Sequence, residues 1–504
     1  MKMRLWASAL GLALFLSIPA AAEVDIEAGA ALAGQSCASC HGAAGEGMGP
    51  NPPIAGIPEN EFVQMMHEFR SGERESGTMG ALSAGLSDEA IEQLAAFYAS
   101  LDAAEPAAFQ VEGPLHHVSA EVCASCHQEI YDEWKQSMHR NSTALKDPIH
   151  ELMYRGEVGD PRKHDQVHNR SGTFPVCLNC HAPNAARDQV TKLDAKDAYA
   201  EGVSCVTCHQ ISGYRGVERE GGGLRLGILA YEMDENRLQG PRGFPFDQVA
   251  KHDSDVTNPH IPRQDASGNH VDAALPMDSN PSMMKSSQLC LGCHEQRPNP
   301  QGVPLCDTGS EIDESGSQVT CQSCHMPTTG DHASHRMGGG HDPHMLSRAV
   351  RMEVKARRNG ENVRADVEIT NLLPHKMPTG APFRNVKVRV TALDSTGNVV
   401  WENYTDHPQH EAPEAYMFYQ LGDDEGKPAM PPVATQVRQD TRLEPHEQRV
   451  ISYDEIPTEA AYVRAEMLYN LVFEPMKPRI MELGATAEHL APRSMAFHEA
   501  RVQQ

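Results

Sequence analysis

Twelve of the thirteen cysteines fall in six C-x-x-C pairs: Cys37/Cys40, Cys123/Cys126, Cys177/Cys180, Cys205/Cys208, Cys290/Cys293 and Cys321/Cys324. Each pair is followed at once by a histidine, namely His41, His127, His181, His209, His294 and His325. The two spacer residues vary (AS, AS, LN, VT, LG, QS), whereas the Cys-Cys-His frame does not. Three chemistries use paired cysteines. Disulfides give no reason for the histidine. Structural zinc takes four ligands in a tetrahedral array, and six pairs could close three such sites with no adjacent histidine. Covalent haem attachment accounts for every position. Two thiols add to the two vinyl groups of one haem, the spacer matches the vinyl separation, and the next residue lies under the iron with a ring nitrogen to offer. Histidine makes up 26 of 504 residues, so six chance placements directly after the pairs are negligible. The pattern predicts six covalently attached c-type haems. Cys306, in PLCDTGSE, stands outside it, and a reactive thiol, a link between chains and an inert buried cysteine are all open there.

The elements that must position these clamps divide the chain into stretches of different character. Residues 1–22 combine Lys2 and Arg4, an apolar run from Leu5 to Ile18 and the small residues Ala20-Ala21-Ala22, which is the pattern of a secretory signal peptide. No later stretch approaches the ~18 apolar residues of a spanning helix. The expectation is an exported protein, periplasmic or at the cell surface, with no transmembrane segment after cleavage; c-type haems are attached after export. The formal charge is −26, which argues against a nucleic-acid partner, because phosphate binding needs clustered positive charge.

Residues 23–104 hold one clamp and read as a small all-α domain. EAGAALAGQSCASCH predicts a helix running into the clamp. LSDEAIEQLAAFYASL predicts a second helix, with Ser87 as N-cap, two acids in the first turn and Ile91, Leu94, Ala95, Tyr98 and Leu101 on one face. DAAEPAAFQVEGP reads as a linker. A second iron ligand should come from the far side, and Met79, in the Gly-rich ESGTMGALSAGLSD, is the candidate ahead of Met48, Met65 and Met66. Residues 24–103 resemble a class I monohaem cytochrome c, and that resemblance implies Met79 as the sixth ligand, which would raise the haem potential.

Residues 105–347 carry five clamps, roughly one per 45–50 residues by count along the chain, which predicts a coil-rich multihaem domain with short helices. So little polypeptide cannot wrap each haem separately, so the haems should supply much of the core and lie close together. From 348 to 475 the clamps stop, and the alternating runs VRMEVKA, VRADVEI, VKVRVTAL, RVISY and AYVRAEMLYNLVF predict an antiparallel β-sandwich, immunoglobulin-like, with hairpins at Asn359-Gly360 and DSTGN. Residues 476–504 read as a short, weakly ordered tail.

The five irons of the middle stretch need second ligands from the twenty histidines outside the clamps, or deliberately lack them. His117 precedes the second clamp. His375, in LLPHKMPTG, sits between Pro374 and Pro378 in a loop that could reach a haem face. The stretches VCASCHQEIYDEWKQSMH, GVSCVTCHQI and VTCQSCHMP resemble the multihaem family of the ammonia oxidisers' tetrahaem electron carrier, whose relatives are hydroxylamine oxidoreductase and pentahaem nitrite reductase. The resemblance extends loosely over 116–347. It implies His139 as a second ligand after the Trp-x-x-Ser stretch, and His335, with His341 close behind, past the last clamp. No clamp ends in lysine and no match to a specialised catalytic haem is present, so the resemblance supports shared haem packing over shared catalysis. The reading is an electron relay between redox partner proteins, with electrons leaving through the Met79/His41 haem. A multihaem oxidoreductase acting on a small nitrogen or sulfur compound and a subunit of an extracellular cytochrome filament are the alternatives, and oligomer formation is open.

Overall fold

The computed structural model describes residues 24–47, 51–74, 77–101, 111, 113–163, 172–242, 259–264, 270–295, 297–299, 301–330 and 332–504. The signal-peptide reading and most of the linker reading therefore lie outside the described residues. The chain divides into two compact units, residues 1–109 and 110–504.

The first unit is helical: α1 (Ile26–Ser36), α2 (Ala38–His41), α3 (Glu59–Ser71), α4 (Gly77–Ala84) and α5 (Asp88–Ser100). Asp25 and Ser87 cap α1 and α5 by accepting the Ala28 and Ala90 amides. Ile91, Leu94, Ala95 and Tyr98 of α5 are buried with Ala33, Cys37, Phe62 and Met66, as the helical periodicity requires. Met79 lies on a helix, α4, where the sequence suggested a loop, and packs at the edge of this core.

The second unit begins with short helices and two-residue ladders. Its longer helices are α6 (Gln128–Gln136) and α7 (Pro148–Glu157), followed much later by α8 (Pro343–Ser347). Its apolar clusters here are small, such as Tyr154, Leu178, Leu193 and Tyr199. The chain then enters nine strands: β1 (Val350–Asn359), β2 (Asn362–Asn371), β3 (Asn385–Leu393), β4 (Val399–Glu402), β5 (Tyr416–Gly422), β6 (Gln436–Asp440), β7 (Gln448–Pro457), β8 (Tyr462–Asn470) and β9 (Arg493–Arg501). One antiparallel sheet has the order β1-β2-β7, and the other β6-β5-β3-β8-β9 with β4 beside β3. Val350, Met352, Val354 and Ala356 face the same core as Val386, Val388, Val390 and Ala392, which is the period of two expected of half-buried strands. The β1–β2 turn closes with Asn359 opposite Asn362, so the left-handed residue is Gly360 at φ 64°, the first central position.

Two expectations change. The stretch 476–504 is not a loose tail: β9 pairs with β8 from Tyr462↔Arg501 to Tyr469↔Arg493. Its sequence, RSMAFHEAR, lacks the aliphatic alternation of the other strands, because at this edge only Met495 is deeply buried. The boundary expected at 347/348 is no gap in packing, since the sheet core also takes in Ile149 and Leu346.

Candidate functional site

Most of the six clamps end in one turn of helix, at Ala38–His41, Leu178–His181, Cys205–His209, Gln288–His294 and Cys321–His325; His127 instead caps the start of α6. A helical turn places Cys i, Cys i+3 and His i+4 on one side. None of the thirteen cysteines is in a disulfide. Four clamp histidines are oriented through Nδ1 by a backbone carbonyl: His41 by Pro52 (2.8 Å), His181 by Ser142 (3.0 Å), His209 by Gln239 (2.8 Å) and His325 by Gly338 (2.6 Å). An Nδ1–H held this way leaves Nε2 as the coordinating atom and fixes the ring plane. The donor set therefore fits thioether-linked haem with a histidine axial ligand.

The clamps of the second unit touch one another. The Cys123 and Cys205 thiols are hydrogen-bond neighbours, as are Cys290 and Cys321, and Cys290 also feels Cys208. The third clamp joins through the 139–150 segment, where the Ser142 hydroxyl donates to the His181 carbonyl at 2.9 Å.

Two clamp cysteines, Cys126 and Cys324, are exposed, while the other clamp cysteines of the second unit are half-buried. Cys126 is exposed, and it lies in the turn after the short helix Ala120–Ala124 instead of within a helix. The cause is local: His127, at φ −114° and ψ 48°, leaves the helical conformation and starts α6. Cys126 keeps its clamp geometry through its amide, which donates to the Cys123 carbonyl at 3.2 Å. Cys180 stays within the helical turn, with its amide on the Cys177 carbonyl at 3.2 Å, and is half-buried like most clamp cysteines. The apolar residue of that turn is Leu178, and it is Leu178 that faces the core with Tyr154 and Leu193. Backbone spacing thus holds both sulfurs beside their partners, while the packing of the clamps runs through Cys123, Cys205, Cys208, Cys290 and Cys321.

Each of the five clamp histidines here has a second histidine as a ring neighbour or an electrostatic neighbour. His260 lies 6.2 Å from His127 between ring centres, with planes 24° apart, and His139 lies 6.2 Å from His294 at 71°. Two imidazoles on opposite sides of one metal, each nitrogen about 2 Å away, have ring centres about 6 Å apart. His335 is an electrostatic neighbour of His209, and His375 of His325. His150 stands 4.0 Å from His181, closer than that spacing, because the Ser142 carbonyl holds both Nδ1 atoms. His150 and His260 were missed by sequence reasoning; their signal is spatial, since neither lies in a stretch with a recognisable motif. Burial pushes the His139 imidazole down to about 4, so it is neutral, as a ligand must be.

Two buried carboxylates, also missed, position these rings. Glu133 of α6 accepts the His335 amide (2.8 Å) and the Ser334 hydroxyl (3.1 Å). Glu311 accepts the Lys376 amide (3.1 Å), the Thr379 hydroxyl (2.6 Å) and Arg442 (2.8 Å), and so fixes the loop that carries His375. Glu201 likewise holds the second clamp through Ser119 and the Ala120 amide.

Two sequence candidates are placed elsewhere. His117 turns its Nε2 to Asp188 at 2.5 Å, beside Lys196, while His116 takes the other Asp188 oxygen at 3.0 Å. A carboxylate 71 residues away in sequence is the competitor that claims this ring. His341 packs against His489, 5.7 Å between ring centres, rather than against a clamp histidine.

Comparison with known proteins agrees with this geometry. Residues 26–102 match the family described as cytochrome c, and residues 122–210 the family described as cytochrome c554 and c-prime. A pentahaem cytochrome c552 from Thermochromatium tepidum is 49% identical, with TM-score 0.71, and the likeness covers 77% of this chain and all of that one. Cytochrome c4 of Pseudomonas aeruginosa is 40% identical over 78 residues, 14% of this chain and 39% of that protein. The thiosulfate dehydrogenase electron acceptor of Stutzerimonas stutzeri is 32% identical over 145 residues, 25% of this chain and 67% of that protein. The chain belongs to the multihaem c-type cytochromes, proteins of electron transfer. Among the described residues, no helix is long and apolar enough to cross a membrane.

Proposed function

We propose that the chain is an exported hexahaem cytochrome that relays electrons from a low-potential donor to a soluble acceptor through its N-terminal haem. Six covalently attached haems would supply the one-electron carriers. Both cysteines of every clamp form the thioether links in this reading, the exposed Cys126 and Cys324 included. The domains are a signal peptide (1–22), a monohaem domain (23–104), a pentahaem region (105–347) and an immunoglobulin-like scaffold (348–475) extended by the final strand. The scaffold assignment is supported by the two strand orders, β1-β2-β7 and β5-β3-β8-β9.

The observation that carries the relay is that each clamp histidine in the second unit has a second histidine as a ring or electrostatic neighbour. We assign His127/His260, His294/His139, His209/His335 and His325/His375 as the histidine pairs that would flank an iron, His41/Met79 as the pair of the first unit, and His181/His150 as a pair whose rings, 4.0 Å apart, would have to separate to admit one. Where two such side chains would flank one iron, no position would be left open for substrate. They also keep the ligands fixed while charge changes, which keeps reorganisation small. Contact between clamp sulfurs supports close spacing of the carriers. The cytochrome c match of residues 26–102, together with the likeness to a dehydrogenase's electron acceptor, supports the first unit as the terminal that meets soluble partners.

Magnetic circular dichroism and haem mass analysis of the purified protein test this reading. Six haem masses and low-spin iron throughout are expected. A high-spin iron shifted by nitrite or hydroxylamine would make the protein an oxidoreductase instead.

A further inference from the structure

A cluster of cations beside the sheets is unused by the relay as described. Tyr469 of β8 is buried and pairs across the ladder with Arg493 of β9. Arg384, at the start of β3, hydrogen-bonds the Tyr469 hydroxyl. Gly340 lies so close that a Cβ there would come 2.5 Å from that hydroxyl, which sets His341 over the same spot. His489 completes the group, 5.7 Å from His341 between ring centres, with a buried Nε2 that has no hydrogen-bond partner.

Arg384 and Arg493 form no ion pair among the described residues. Arg384 donates to the Thr379 carbonyl, and Arg493 to those of Ala491 and His489. Asp147, which caps α7 through the Ile149 amide, feels Arg384 without pairing with it. Two half-buried guanidiniums with no ion-pair partner among the described residues, set around a buried phenol, are costly in a folded protein. In a chain of charge −26, two such guanidiniums around one phenol call for an anion.

Its place in the fold says which anion. The Gly338 carbonyl that holds His325 lies three residues before His341, and the loop that presents His375 to His325 runs on to Arg384. Both segments thus carry a ring of the Cys321/Cys324 site at one end and the cationic cluster at the other. We propose that Arg384, Arg493 and Tyr469 bind carboxylates, and that these are the propionates of the haem attached at Cys321 and Cys324. Guanidinium and carboxylate fit as a charge-assisted pair, often bidentate. Neutralising the propionates favours the reduced iron, so these residues position the haem and raise its potential. The proposal rests on the reading that this clamp carries haem.

The test is a spectroelectrochemical titration of the full chain and its Arg384→Gln, Arg493→Gln and Arg384→Lys variants, with haem at each clamp checked by peptide mass. The expected result is one reduction step of six shifted about tenfold toward the oxidised form in either glutamine variant, about 59 mV for one electron. Arg384→Lys should shift it less, and the other five steps should stay put. Resonance Raman should show a displaced propionate bending mode. All six steps unmoved with a full haem complement would overturn the proposal. A saturable response of the wild-type spectrum to sodium sulfate at constant ionic strength, lost in Arg384→Gln, would overturn the propionate assignment in favour of a free oxyanion. A Cys321/Cys324 peptide without haem would overturn both this proposal and the six-haem reading, and only that outcome touches the latter.

Discussion

The two units hold their clamps in opposite ways. In the first, one clamp is set into a helical core that exists without it: Phe62, Met66, Ile91, Leu94 and Tyr98 pack across α3 and α5. In the second, between about 110 and 347, four of the five clamps meet through their sulfurs and the Cys177/Cys180 clamp through the 139–150 segment, with small apolar clusters between them among the described residues. The large apolar core of that unit belongs to the sheets. A single carrier can be wrapped by chain. A dense array cannot, so it borrows rigidity from a β scaffold and from buried carboxylates that tie loops down.

This contrast can be broken most severely at the clamps themselves. Replacing Cys37 and Cys40 by alanine should remove one haem mass and leave the other reduction steps in place. Replacing Cys290 and Cys293 should prevent accumulation of folded protein, because Cys290 meets Cys321 and Cys208. Limited proteolysis and haem counting compare the two. Equal damage would show that the units are not independent in this sense.

Glu311→Ala comes next. Its carboxylate is 3% exposed and pairs with Arg442 while holding Lys376 and Thr379. Removing one partner of a buried pair costs about 3–5 kcal/mol. The expected signature is a lower melting temperature together with one iron turning high-spin as His375 loosens. An unchanged spin state would detach His375 from the Cys321/Cys324 site. His139→Ala should also produce one high-spin iron, whereas His117→Ala should produce none, because His117 belongs to Asp188.

Asp147 gives a pH test of the second unit. Burial pushes its carboxyl up to about 6, above its value near 4 in an unfolded chain. The folded state therefore binds the proton more tightly, and stability falls as pH rises from about 4 through 6. Asp147→Asn keeps the cap on Ile149 and should stabilise the protein at pH 7 by about 1–2 kcal/mol, with the gain fading by pH 4. Denaturant midpoints at the two pH values measure it; a constant difference would refute the assignment. The smallest effect is expected in the first unit, where Ser87→Ala removes the cap on Ala90 and should cost about 1 kcal/mol there, seen as faster amide exchange in α5 only.

The attachment chemistry was legible in the sequence because it is local. Two thiols and a ring within five residues need only their own spacing, which holds even at Cys126, where the helix has already ended. The strands likewise announced themselves through alternation of buried residues, as in Val363, Ala365, Val367 and Ile369. The edge strand β9 escaped because one face of it meets solvent and the other buries only Met495 deeply. The second histidine beside each clamp histidine is a long-range matter. His260 reaches His127 over 133 residues, Glu311 fixes a loop 65 residues on, and Asp188 draws His117 away from any clamp. No spacing rule links such partners. Covalent attachment depends on neighbours in the chain, while axial pairing and charge compensation depend on which surfaces the fold brings together.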